Sequence, residues 1–280
     1  VDRDLERLAE TDPWFHDQKT DPWFHDHFEK VPRIVADRLW RVIPLSSSCV
    51  LDFGCGEGLM ASGLARFARE VHGVDVMPDF LGLEERLRSA LGPTRQLPPV
   101  ALRVVQPYEP LPYPDGTFDG VFAWSVFEHV ADIPRALAEI FRVLRPGGAF
   151  FLQIAPLYCS PHGGHLWGVL DEPWIHLRLG MEELFSRIRE PAETQASRHP
   201  LRTSDLQKPA HEFREFIIQS FHSLNRVTVD ELMGQLGAAG FEVLHQWTTR
   251  ACPYPVPHDL LTNYSYADLT TDQVVVLMTR

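Results

Sequence analysis

Residues 50–58 read VLDFGCGEG. The apolar run CVLDFG (49–54) is short and ends in glycine, the pattern of a buried strand. EGLMASGLARFARE (57–70) has helical spacing, so Gly54, Gly56 and Gly58 fall on the turn between a strand and a helix. Glycine lets such a turn be sharp and lets backbone come close to a ligand. The next strand, VHGVDV (71–76), carries Asp75 near its end, where a carboxylate can accept both hydroxyls of a ribose. The turn and this acid together point to an adenosine-bearing ligand. The dinucleotide fingerprint GxGxxG fails, because the position three after Gly56 is Leu59. Asp52 leads the turn, and an acid there repels a pyrophosphate and suits a cationic or amino-bearing ligand.

Outward from this turn, strand and helix alternate. A helix is expected over 80–91, strands over 100–105, 118–125 and 148–155, and a helix over 133–144 stopped by Pro146-Gly147-Gly148. Alternation of this kind calls for a parallel sheet with helices on both faces. The fold expected is a doubly wound, Rossmann-like α/β sheet of about seven strands, mostly parallel with an antiparallel last strand. The last two strands are expected at 241–248 and 273–279. Thr228 and Glu231 form a capping box that starts a helix over 228–239. Four parts follow: an N-terminal helical lid (1–44), a ligand-binding core (45–155), a substrate-side insertion (156–227) and the C-terminal part of the core (228–280). The insertion is too long for a simple connection. The lid holds a direct repeat, DPWFHD at 12–17 and 21–26, in which each Asp-Pro suits a helix start.

The chain of 280 residues has a formal net charge of −12. Such acidity repels phosphate backbones, so nucleic acid is not an expected partner. The four cysteines form no CxxC pair, which fits free thiols in a reducing cytoplasm. No apolar run reaches the roughly 20 residues that span a bilayer, and VDRDLERLAE lacks a signal-peptide core. A cytoplasmic protein without a membrane partner is expected, and an oligomer is compatible with the sequence.

In these residues the chain resembles the class I S-adenosylmethionine-dependent methyltransferases. VLDFGCGEG is similar to their first motif and GVDV to the strand carrying their ribose acid. LPYPDGTFDGVFAWSVFEHV (111–130) and the segment ending RVLRPGGAF (142–150) resemble later motifs in order and spacing. The likeness runs from about 23 to 155, with the usual end of the fold at 228–280. It implies S-adenosyl-L-methionine as cofactor. It implies Asp52 at the methionine amino group, Gly54, Cys55 and Gly56 beneath it, Asp75 on the ribose, Val76 and Met77 flanking adenine, and Trp124 on the methionine side. Where many relatives carry Asp-Ala, this chain has Pro107-Tyr108, leaving Glu109 or backbone to read the adenine. A looser similarity, through Trp23-Phe24 and Gly164-His165-Leu166, is to bacterial methyltransferases of glycan and natural-product pathways.

The sulfonium methyl is already electrophilic, so the protein supplies geometry and, for a hydroxyl acceptor, a base. Histidine has the apt pKa. His129, just past the fourth strand, is the first candidate, and capping of the next helix is its other reading. SPHGGHLWGVLDEPWIH (160–176) adds His162 and His165 as further catalytic candidates. Their alternatives are a zinc-like set with His176 and one acid, or buried histidines that find hydrogen-bond partners. The spacing matches no zinc motif and methyl transfer needs no metal, so none is expected. The reading is methyl transfer to a small-molecule acceptor, a hydroxyl of a sugar or secondary metabolite. A carbon or nitrogen acceptor, or a catalytically silent cofactor-binding module, remains the alternative.

Overall fold

The computed structural model describes residues 21–94, 96–190, 208–250 and 252–280. The first copy of the repeat lies outside the described residues. In the second, the Asp21 carboxylate accepts from the Trp23 amide at 3.0 Å with Pro22 at the first helical position, the start its sequence predicts. The helix beginning at Pro22–Phe24 widens into a π-helical stretch, His25–Lys30, and continues as α1 (Val31–Trp40).

Seven strands form one sheet: β1 (Cys49–Phe53), β2 (Glu70–Asp75), β3 (Val100–Val104), β4 (Phe118–Trp124), β5 (Leu144–Ile154), β6 (Glu242–Thr249) and β7 (Gln273–Thr279). Their order is β3-β2-β1-β4-β5-β7-β6. The first five run parallel, and β7 is antiparallel to both β5 and β6. This is the expected doubly wound sheet with its antiparallel last strand. The order reverses between β1 and β4, so the loops after these strands diverge and open a crevice.

Both faces of the central strands are apolar because both are covered. Along β1, Val50 faces the cluster built with Val35 and Leu39 of α1 and with Ala61 and Leu64 of α2 (Leu59–Leu64). Leu51 faces the opposite cluster, with Leu137 and Ile140 of α4 (Ile133–Val143) and Leu232 and Leu236 of α8 (Val229–Ala238). Among the described residues the other α-helices after α1 are α3 (Leu83–Leu91), α5 (Ile175–Arg178), α6 (Met181–Arg189), α7 (Ala210–Ser223) and α9 (Tyr266–Thr270). The segment after β5 has its own core, in which Leu166, Leu184, Phe213, Ile217 and Phe221 meet. The capping box forms: the Thr228 hydroxyl accepts from the Glu231 amide, and the Glu231 carboxylate from the Thr228 amide at 2.9 Å.

Two boundaries differ from expectation. Helix α2 stops at Leu64 rather than running to 70. The Arg66 side chain takes the Gly63 carbonyl at 2.9 Å and reaches across to the Phe28 carbonyl and the Glu29 carboxylate, both at 2.8 Å. Strand β5 starts at Leu144, ahead of the Pro-Gly-Gly, because Leu144 already pairs with Phe118 across a register shift. Among the described residues no helix is long and apolar enough to cross a membrane.

Candidate active site

The crevice is built from the ends of β1, β2 and β4. After β1 the amides of Gly54 and Cys55 both donate to the Val74 carbonyl, at 2.8 and 3.0 Å, tying the glycine turn to the end of β2. Asp75 then grips the turn from the other side. One carboxylate oxygen accepts from the Gly56 amide at 2.7 Å and the other from the Met77 amide at 2.9 Å. Each oxygen keeps lone-pair capacity for a ligand hydroxyl. Gly54, with φ of +83°, has no room for a side chain, since a Cβ there would lie 2.4 Å from a Val126 methyl carbon. The turn is thus packed against the loop after β4, and only glycine serves at that point.

Gly54, Gly56, Asp75, Val76, Met77, Glu109 and His129 line one cavity of about 580 Å³, a size that suits a nucleoside-bearing ligand. Val76 and Met77 are 51 % and 56 % exposed, an apolar rim left open to solvent. Behind the turn, Asp52 is buried and its Oδ2 lacks a hydrogen-bond partner. Burial, and then the charge of Asp75, hold its carboxyl well above the usual range. A backbone hydrogen bond from Ala61 offsets part of this, and a cationic donor at the free oxygen would relieve the rest. Glycine cradle, the Asp75 carboxylate and apolar rim together fit a ribose-bearing ligand.

On the β4 side, Ser125 adopts φ of +52°, a costly conformation for a side-chain-bearing residue. Gln153, buried in β5, sustains it: its Oε1 accepts from the Ser125 amide at 2.9 Å and hydroxyl at 3.0 Å. The chain then makes a 3-10 turn, Phe127–His129, that delivers His129 to the cavity wall. The Asn225 side chain clamps this turn by donating to the Val130 carbonyl at 2.9 Å and to that of Phe127 at 2.5 Å. The Asn225 amide donates to the Glu128 carbonyl at 2.8 Å. His129 Nδ1 meets the Ser223 hydroxyl at 2.7 Å. Glu128, buried with an unpartnered Oε2, is pushed up to about 8 by burial.

Residues 51–152 match the family model described as a methyltransferase domain. Over those residues the chain carries a methyltransferase domain. Its cofactor is S-adenosylmethionine, whose ribose hydroxyls suit the acceptor oxygens of Asp75 at the cavity wall. The chain is similar to the demethylmenaquinone methyltransferase of Symbiobacterium thermophilum, 41 % identical over 104 residues, covering 36 % of this chain and 40 % of that one. It is also similar to the malonyl-[acyl-carrier protein] O-methyltransferase of Halorhodospira halophila, 38 % identical over 164 residues, covering 56 % and 53 %. The chain thus spans about half or less of the length of these curated relatives. Among solved structures, the [4+2]-cyclase SpnF shares the fold, with a TM-score of 0.53, 18 % identity, and coverage of 99 % of this chain and 92 % of that one.

Three of the expected ligand residues, Asp52, Cys55 and Trp124, are not among those lining the cavity. Trp124 is absent from the cavity wall: alternation along β4 turns its ring to the α1 face, where it packs 6.3 Å from Phe151. Ser125 and Val126 line the cavity in its place. The Cys55 side chain also turns away and is buried in the space that a Cβ on Gly73 would need. Burial raises the Cys55 thiol, so it stays protonated.

The histidines of 160–176 separate. His165, at φ of +53°, stacks on Trp167 at 4.8 Å and meets His129 edge-on at 5.3 Å, so these two candidates come together. His162 is held elsewhere, 3.6 Å from the Asp171 carboxylate and 3.4 Å from the Tyr254 hydroxyl. His176 is buried and donates from Nε2 to the Tyr158 carbonyl at 2.7 Å. Burial pushes it down to about 4, so it is neutral and structural. The zinc-like set therefore does not assemble. Among the described residues, the one trio of ligating side chains with atoms within 4.8 Å of one another is Cys49, Glu70 and His72. It stands at the amino ends of β1 and β2, away from the cavity.

Sequence reasoning missed Ser125, Gln153, Ser223 and Asn225. Gln153 left a signal, as the lone polar residue in the apolar strand GAFFLQIA. The glycine turn has a further neighbour: Glu57 accepts from the Trp23 indole at 2.9 Å and pairs with Arg86.

Proposed function

We propose that the chain transfers a methyl group from S-adenosylmethionine to a hydroxyl of a small molecule, a sugar or secondary metabolite, with His129 as general base. One observation carries the reading: His129 lines the same cavity as Gly54, Gly56 and Asp75, so a base and a cofactor cradle share one wall. The cofactor, when bound, supplies a methyl group that needs no further activation. Asp52 offers a counter-charge to its ammonium, Asp75 holds the ribose, and Val76 and Met77 flank the adenine. The family's relatives include enzymes named as O-methyltransferases, which supports an oxygen acceptor. His129 accepts the acceptor's proton as the oxygen becomes nucleophilic. The N-terminal segment bearing Trp23 acts as a lid over the glycine turn, where the indole meets Glu57, and the described part of the segment after β5 brings His165 and Ser223 to His129.

The test uses S-adenosylmethionine with a ¹³C-labelled methyl and a panel of hydroxylated sugars and phenols, with products read by NMR. His129→Gln is expected to lower turnover by about 10²–10⁴, with unchanged affinity for S-adenosylhomocysteine. Label appearing on carbon or nitrogen refutes the oxygen acceptor. Undiminished turnover in the variant removes His129 as the base.

A further inference from the structure

We propose that Ser223, the last residue of α7, is a positioning residue that fixes the tautomer of His129, with the proton on Nδ1 and the lone pair on Nε2. The inference rests on the reading of His129 as the base and names the group that prepares it.

The argument is a count of protons. The Ser223 hydroxyl stands 2.7 Å from two partners, the Ser220 carbonyl oxygen and His129 Nδ1. A hydroxyl has one proton to donate, and a carbonyl can only accept. If that proton went to the imidazole, two oxygen lone pairs would face each other at 2.7 Å across the turn of α7. Both contacts are favourable in one arrangement alone: the hydroxyl donates to Ser220, and His129 Nδ1–H donates to the hydroxyl. In the neutral ring the other nitrogen, Nε2, then carries the lone pair. A general base must present such a lone pair, so this assignment readies the ring for its task. When Nε2 takes the acceptor's proton, the imidazolium keeps its Nδ1–H on the Ser223 oxygen and needs no rearrangement.

The placement is held from both sides. Ser223 and Asn225 lie just two residues apart, and Asn225 straps the Phe127–Val130 turn through three backbone hydrogen bonds. The His165 ring meets His129 edge-on at 5.3 Å and limits its swing. The segment after β5 thus supplies the orientation of a side chain borne by the core.

The experiment is long-range ¹H–¹⁵N NMR of the full chain labelled at histidine, with His129 assigned through His129→Gln. In the parent protein His129 is expected chiefly as the Nδ1–H form. In Ser223→Ala the tautomer ratio is expected to shift about fivefold toward Nε2–H, the effect of losing one ordinary hydrogen bond. Ser223→Thr, which keeps the hydroxyl, is expected to restore the parent ratio. An Nε2–H ring in the parent protein, or an unchanged ratio in Ser223→Ala, overturns the proposal. Failure of the base reading is seen separately, as undiminished methyl transfer by His129→Gln.

Discussion

Asp75 offers the sharpest test of the cofactor cradle. Its two carboxylate oxygens already hold the Gly56 and Met77 amides, at 2.7 and 2.9 Å. The residue therefore shapes the turn before any ligand arrives, and in the proposed function a ribose adds to an arrangement that exists. Hydrogen bonds to a charged group contribute about 1.5–3 kcal/mol each. Asp75→Ala removes the two ribose bonds and the preorganisation together. Because the freed amides regain water, a net loss of about 2–4 kcal/mol in binding is expected, or roughly 30-fold to 1000-fold. Asp75→Asn is the more discriminating change. It keeps the shape, but the amide nitrogen must face either the Gly56 or the Met77 N–H, donor against donor. It is expected to cost at least 1.5 kcal/mol, about tenfold or more, despite being isosteric. Calorimetric titration with S-adenosylhomocysteine measures both, with far-ultraviolet circular dichroism as a check on folding. Asn binding like the parent while Ala binds weakly would refute the donor-conflict argument. Parent-like binding by both would remove Asp75 from the site.

Two stability measurements test the framework around it. Gly54→Ala combines a left-handed backbone, about 1–2 kcal/mol for a side-chain-bearing residue, with a contact 2.4 Å from Val126, about 1–3 kcal/mol of overpacking. Adding Val126→Ala should recover only the second part in urea unfolding, and no recovery would show that Val126 is not the obstacle. The second concerns pH. His176 is held at about 4 in the folded chain against an ordinary 6.5, so below 6.5 the unfolded chain takes up the proton first. Its contribution is present at pH 7 and is lost as pH falls toward 4, by about 1.4 kcal/mol per unit. The difference between the parent and His176→Gln, whose amide can still donate to the Tyr158 carbonyl, should narrow by that slope between pH 6 and 5; a parallel pair of profiles would sink the assignment.

What the sequence discloses divides along the range of the interactions. The glycine turn, Asp75 and the strand–helix alternation are local features, readable from periodicity and spacing, and the structure brings the turn and Asp75 to one cavity wall. Trp124 lies off the cavity wall for a definable reason. It closes a strand, and a strand's last residue can face either side, so being near the site does not mean entering it. Ser125 takes over because its left-handed backbone re-aims the chain, and the support for that conformation comes from Gln153, on the neighbouring strand.

The base side depends on contacts that no local pattern encodes. Ser223 and Asn225 lie 94 residues or more from the groups they hold, and neither belongs to a motif. Their selection follows from topology. The chain leaves β5, builds a separate apolar core around Phe213 and Phe221, and must return to start α8 against the sheet. That return passes the turn after β4, where the carbonyls of Phe127, Glu128 and Val130 accept from Asn225. An asparagine there satisfies the turn, and the adjoining helix end brings a hydroxyl to the imidazole. The histidines of 160–176 follow the same logic. Their count and proximity in sequence suggest one centre, but the loop's fold assigns His176 to a carbonyl, His162 to an acid and a phenol, and only His165 to the neighbourhood of His129.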